Sequence, residues 1–425
     1  MPQKSNRYAI IIIGVLFFVF GFVTWLNGTL IPFLKLACDL ESDSQAFLVA
    51  SAFYIAYFVL AIPSSYILRK TGFKNGMALG LLVMAMGSLI FIPAANSRNF
   101  ALFLFGLFVQ GAGLALLQTA SNPYISILGP IESAAKRISI MGICNKVAGI
   151  LSPFILGALV LKNATAIEES IATATDAATR NGLLDDLAQK VIPPYVVMAI
   201  VLVILAVMIR RSSLPEINMD GEEVVDKGSE TRKTSVLQFP HLVLGFICLF
   251  LYVGVEVLAG DAIGVYGREL GIPLDETKNF TMYTLIAMTI GYIIGIFTIP
   301  KYVSQQKALA ISAVLGLILS AAVFATTGYT AIVCIALLGL ANALMWPAIF
   351  PLAIAGLGRF TKIGSAILIM GIAGGAIVPQ IYTKLKDGGT TDNSTAFLLC
   401  TLPAYAYILY YALKGYKAGK KELEA

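Results

Sequence analysis

Charge is scarce in this chain of 425 residues: 13% are Asp, Glu, Lys or Arg, about half the share of an ordinary soluble domain. With 58% hydrophobic residues and a mean hydropathy of +0.83, that scarcity excludes a soluble enzyme. Histidine is nearly missing. The single His241 follows Pro240 at the mouth of an apolar run, where it reads as an interfacial residue and leaves nothing for a histidine metal centre or a histidine-dependent hydrolase. Cys38, Cys144, Cys248, Cys334 and Cys400 stand singly in or beside apolar runs, without a CxxC, and read as small packing residues. The basic patch that nucleic acid would need is absent, as is any constellation that could do catalysis, so neither nucleic acid nor a cofactor is expected.

What is there is a series of long apolar runs, near 8–34, 45–68, 75–95, 100–128, 138–161, 191–210, 241–266, 277–300, 306–326, 330–357, 363–383 and 394–413. Each is long enough to span a bilayer as a helix, and the runs do not alternate as barrel strands would. The first is too long for a cleaved signal and has no small-residue cleavage site. Residues 212–237 lose hydrophobicity and carry both signs of charge. They read as a solvated linker between a bundle at 1–211 and a second at 238–425. Residues 162–190 are polar enough for an external loop with a short helix. Twenty of the thirty Lys and Arg residues fall on one side, nine on the other, and Lys146 lies within a run; the positive-inside rule then puts both termini in the cytoplasm. The halves echo each other: Gly149 with Pro153 and Gly375 with Pro379 share a G-x-x-x-P spacing, and Ile62-Pro63 matches Ile299-Pro300. Parallel six-helix repeats with a site at their interface are the architecture of facilitator transporters.

Two acids and one base stand inside the membrane. Glu256 and Asp261 lie in the seventh run, and an intramembrane carboxylate usually lines a pathway because it needs a partner or a cation. On a regular helix they point about 140° apart; unwinding near Gly254, Gly260 and Gly264 would bring them together, as in transporter ion sites. Lys146 sits about 13 Å inside its helix and either snorkels outward or faces a cavity. Asn27, Gln118, Asn122, Asn145, Asn342 and Gln380 are side-chain amides in the runs, suited to a ligand rich in hydroxyls or to bridging helices. Trp346 offers a ring for the C–H face of a pyranose. The expectation is that Asn27, Gln118, Asn122, Asn145, Asn342 and Trp346 converge on one cavity with Lys146.

The stretches at 22–27 (FVTWLN), 73–76 (FKNG), 118–124 (QTASNPY), 128–130 (LGP), 345–358 (MWPAIFPLAIAGLG) and 374–379 (GGAIVP) resemble the fucose/proton and glucose/galactose symporter family of the major facilitator superfamily. The likeness covers nearly the whole chain outside the linker and the external loop. It implies an all-α membrane protein of twelve helices in two six-helix bundles that imports a monosaccharide with a cation. The chain departs from the fucose branch where Gly28 replaces an aspartate and Gln118 a glutamate, the latter as in the glucose/galactose branch. Gly142 replaces a family glutamine, and Arg69 stands at the acidic position of the general facilitator signature. The branch's proton-carrying carboxylates are therefore missing, and Glu256 and Asp261 are the carboxylates left for coupling.

The reading is a monomeric hexose symporter of a bacterial inner membrane, carrying a sugar such as glucose, galactose, mannose or fucose by alternating access. Sodium is favoured over the proton as co-substrate, because two clustered acids and a loosened backbone suit a metal ion, with Asp261 as its principal ligand and Glu256 the weaker candidate. An uncoupled facilitator, a proton-coupled exporter of cationic small molecules and a sugar sensor are the alternatives.

Overall fold

The computed structural model describes residues 3–127, 134–212, 214, 235–389 and 391–419. Most of the expected linker, the 128–130 motif and the last residues of the tail lie outside the described residues. Among the described residues the structure is helical, without strands. Eleven helical stretches are long and apolar enough to cross a membrane. One of them, running from 43 to 96, contains two spans: at Gly72 the backbone leaves the helix at φ 75° and ψ 168°, a left-handed turn that glycine adopts without a Cβ clash.

Twelve spans result. Span 1 is Gln3–Trp25 with Asn27–Ala37, spans 2 and 3 are the parts of Leu48–Asn96 before and after Gly72, span 4 is Phe100–Ile127, span 5 Ala134–Val160 and span 6 Ile192–Arg211. Span 7 is Pro240–Asp261 with Ile263–Glu269, span 8 Phe280–Thr298, span 9 Gln305–Ala325 and span 10 Gly328–Asn342 with Met345–Ile354. Span 11 joins Thr361–Met370 to Gly374–Asp387 through a 3₁₀ turn, and span 12 is Asn393–Leu413. Spans 1, 7 and 10 are thus interrupted for one or two residues, at Leu26, Ala262 and Ala343–Leu344. Hydropathy counts apolar residues and is blind to such short breaks. The loop between spans 5 and 6 carries two helices rather than one, Ala164–Thr173 and Ala177–Gln189.

Helices such as span 6 turn Val197, Ile200 and Ile204 outward, as a lipid-facing surface requires, and association within the bilayer then rests on close packing and hydrogen bonds. Spans 5 and 8 run along each other between the halves. So do spans 2 and 11, where the Ser51 hydroxyl donates to the Ala376 carbonyl at 3.0 Å. All five cysteines are free thiols.

At the end carrying the long loop, here the loop end, ion pairs cross between the halves. Lys386 of span 11 binds Asp43 ahead of span 2, and also Glu269 at 2.8 Å, while Lys35 of span 1 reaches Asp43 at 2.5 Å. Ser44 donates its N–H to Asp387 at 2.9 Å and its hydroxyl to Gln380 at 3.2 Å. Arg268 binds Glu168 at 2.5 Å, and Asp275 accepts the N–H groups of Ala164 and Thr165 at 3.1 Å each. At the opposite, terminal end the bonds of Lys74 to the Ser212 carbonyl, Tyr407 to that of Leu244 and Tyr411 to that of His241 stay within one half. The loop end is latched shut.

Candidate functional site

A small cavity of about 100 Å³ lies between the halves. Span 1 gives it Phe17, Phe20, Thr24 and Trp25, and span 4 gives Gln118 and Asn122. Span 5 gives Ile138, Gly142, Asn145 and Lys146; from the other half come Glu256 of span 7, Tyr292 of span 8 and Trp346 of span 10. The lining reaches toward the terminal end as far as Asn122 and Ile138, within about a turn and a half of the helix ends there.

Lys146 and Glu256 meet in the middle. Their Nζ and Oε1 atoms are 2.8 Å apart, and the residues are 5% and 8% exposed. The lysine does not snorkel. Its ammonium also stands 4.2 Å from the centroid of the Trp25 ring, a cation–π contact strengthened by burial. Trp25 Nε1 donates to Asn145 Oδ1 at 3.2 Å, so span 5 holds one edge of the indole while its neighbour Lys146 covers the face. Both remaining edges need room: a Cβ at Gly149 would fall 2.5 Å from Trp25 Cδ1, and one at Gly260 2.4 Å from Cζ3. The two glycines supply clearance for the ring.

Four of the six residues expected to converge do so: Gln118, Asn122, Asn145 and Trp346 line the cavity. Gln118 donates to the Tyr57 hydroxyl at 3.2 Å, and Trp346 stacks on Phe350 with centroids 5.8 Å apart. Asn342 and Asn27 do not line it. The Asn342 carbonyl accepts the Tyr405 hydroxyl at 2.8 Å within the second half, which makes it a bridge between spans 10 and 12. Asn27 opens the second segment of span 1, fully buried. Gln380 belongs to the loop-end latch, bonded to Ser44.

The two carboxylates part company. Glu256, ranked second from the sequence, faces the cavity, whereas Asp261 is 1% exposed, lies off it, and has no hydrogen-bond partner for either oxygen. The expected unwinding around Asp261 is confined to the one-residue break at Ala262 and does not free carbonyl oxygens. The helix runs regularly to Asp261, and the nearby carbonyls are occupied: Leu258 accepts the Ala262 N–H at 3.2 Å, Ala259 the Thr284 hydroxyl at 2.9 Å and Ala262 the Tyr266 N–H at 2.8 Å. Gly260 serves Trp25, and Gly264 the close approach of the Thr277 carbonyl. A sodium ion needs several free oxygens around its carboxylate, and this arrangement does not offer them at Asp261. Among the described residues no group of three or more His, Cys, Asp or Glu could hold a metal ion.

Tyrosines were missed. Tyr54, Tyr57, Tyr252 and Tyr292 line the cavity, and the signal was present in the sequence: phenols one helical turn apart at 54 and 57, and four residues before Glu256, inside apolar runs.

The Major Facilitator Superfamily model matches residues 13–379. The glucose/galactose transporter of Brucella abortus is 36% identical over 98% of this chain and 96% of that one. The L-fucose-proton symporter of Escherichia coli K12 is 28% identical over 93% and 90% respectively. A crystal structure of the Escherichia coli fucose:proton symporter superposes with a TM-score of 0.76 at 27% identity, covering 96% of this chain and 98% of its own. One of the same transporter in the outward conformation gives 0.75 at 28%.

Proposed function

The chain belongs to the Major Facilitator Superfamily, and we propose that within it this protein imports a monosaccharide together with a proton, by alternating access of its two bundles. The observation that carries this reading is the buried Lys146–Glu256 pair, set across the halves in a cavity lined by amides and aromatic rings. A sugar is uncharged, so only a co-transported ion lets a gradient drive its accumulation.

The amides of Gln118, Asn122 and Asn145 each offer donors and an acceptor to hydroxyls. The Trp346 face takes the apolar side of a pyranose ring. Lys146 and Glu256 give the same ligand a cation and an anion whose mutual bond loosens when a hydroxyl group enters between them. Because the pair joins the halves, that loosening changes the balance between the bundle arrangements. Proton coupling is favoured over sodium by the occupied carbonyls around Asp261 and by the fucose-proton relatives. The distribution of Lys and Arg supports cytoplasmic termini, and hence a latched outer face in this structure. The membrane is the inner membrane of a bacterium, by analogy with the relatives.

The test is uptake of labelled glucose, galactose, mannose and fucose into proteoliposomes. Accumulation above the external concentration under an inward proton gradient, abolished by a protonophore, is expected for at least one of them. Sugar that merely equilibrates, with or without the gradient, would make the protein a facilitator.

A further inference from the structure

Asp261 is left over by this account. It is sealed from water and both its oxygens lack partners, yet it sits beside the ion pair: its neighbour Gly260 packs on the Trp25 indole over whose face the Lys146 ammonium stands. Glu256 and Lys146 are charged groups close enough to act on it electrostatically. The Tyr54 phenol of span 2 is near enough to feel its charge. Spans 1 and 8 bring the neutral groups Asn27, Trp25, Thr281 and Thr284 to this region.

We propose that Lys146, Glu256 and Asp261 form a charge-counted trio, and that closing the loop end over Asp261 takes up one proton. One ammonium neutralises one carboxylate. The second carboxyl, in a dry site without donors, is tolerated only as the acid, since an unpaired buried charge is strongly disfavoured. Water on the open side donates the proton to an Asp261 oxygen, forming the O–H bond and leaving hydroxide to the medium. Opening hydrates the site and lets the proton go. The closed form is thereby favoured at low pH and loses ground as pH rises. The latch's own carboxylates, Asp43, Glu168, Glu269, Asp275 and Asp387, are held by cations or N–H donors, so their protonation weakens closure and carries the opposite sign. This inference rests on the alternating-access reading and is separable from the identity of the sugar.

The count gives its own test. Spin labels at Asp186→Cys and Thr327→Cys, both exposed at the loop end on opposite halves, are introduced into the full chain with its five native cysteines replaced, and the closed fraction is followed against pH in lipid nanodiscs. Linkage predicts a slope of about one proton in the parent, about zero in Asp261→Asn and about zero in Glu256→Gln, because removing either acid leaves a neutral set. Lys146→Met leaves two acids without a cation and steepens the slope to about two. A parent whose closure ignores pH overturns the proposal, as does a slope that survives unchanged in Asp261→Asn. If Asp261→Asn fails to fold, Glu256→Gln still decides: an Asp261 that is merely structural leaves its slope at that of the parent. Proteoliposome uptake that ignores a proton gradient while these slopes hold would remove the proposed function and leave the trio standing.

Discussion

Two sets of ion pairs join the halves, one in the middle of the membrane and one at the loop end, and they differ in how many partners share each charge and in what else each cation touches. Lys146–Glu256 is a single pair, nearly sealed, with a tryptophan face as the cation's other neighbour. The loop end crosses with two pairs, the half-exposed Arg268–Glu168 and the buried Lys386–Asp43, whose members also bind Glu269 and Lys35, each partly exposed. A pair near water is weak and cheap to break, because each ion regains its hydration. A sealed pair cannot be broken without something to replace either partner. The latch is therefore suited to opening repeatedly, and the central pair to opening only when a ligand or a proton compensates it.

The sharpest way to break this comparison is Lys146→Met, which strands Glu256. Transport should disappear and the protein should lose on the order of 3–5 kcal/mol at neutral pH, read as a large fall in thermal stability in detergent. The double variant Lys146→Met with Glu256→Gln removes both charges and should recover most of that stability without recovering transport; wild-type uptake in either would end the central pair's assignment. Next comes Trp346→Ala. Lost ring contact should weaken sugar binding about tenfold, equivalent to about 1.4 kcal/mol, with the melting temperature little changed. Unchanged affinity would take Trp346 out of the site.

At the loop end, Lys386→Met removes the hub of the latch. The expected effect is a several-fold shift toward the open form, worth about 1 kcal/mol, seen as faster modification of cavity residues by a reagent added from that side. A shift as large as that of the central variant would erase the distinction between the regions. The smallest effect belongs to Arg180, whose guanidinium binds the exposed Asp39 at 2.7 Å. That bond holds the Asp39 carboxyl below the usual carboxylate range. A depressed folded value means that the pair's contribution exists above the unfolded carboxylate's range and fades as pH falls through the folded one. Arg180→Ala should lower neutral-pH melting slightly and leave melting in acid unmoved, flattening the pH dependence; an unchanged pH dependence would contradict this.

The spans, the two-bundle order and the oddity of Lys146 and Glu256 were legible because bilayer physics makes apolar length and intramembrane charge loud signals. Rotation about each helix axis was not. The spacing of Glu256 and Asp261 implied that they point apart, but not which one meets Lys146, since that depends on how spans 5 and 7 are turned toward each other. Asn342 misled for a related reason: an amide facing a cavity and one bridging to Tyr405 look alike until the partner helix is placed. The glycines of span 7 misled because their flexibility was weighed and their small size was not.

That small size has a consequence for how this protein tolerates change. The Trp25 indole is wedged between Gly149 in one bundle and Gly260 in the other, each with less room than a methyl group occupies. A flat ring held end to end between two bare backbones behaves as a spacer, setting the gap between the bundles in this structure. Its length is fixed by chemistry, so a side chain added at either glycine pushes on Trp25, which carries the lysine's position with it. Three residues far apart in the chain are in this way packed as one unit.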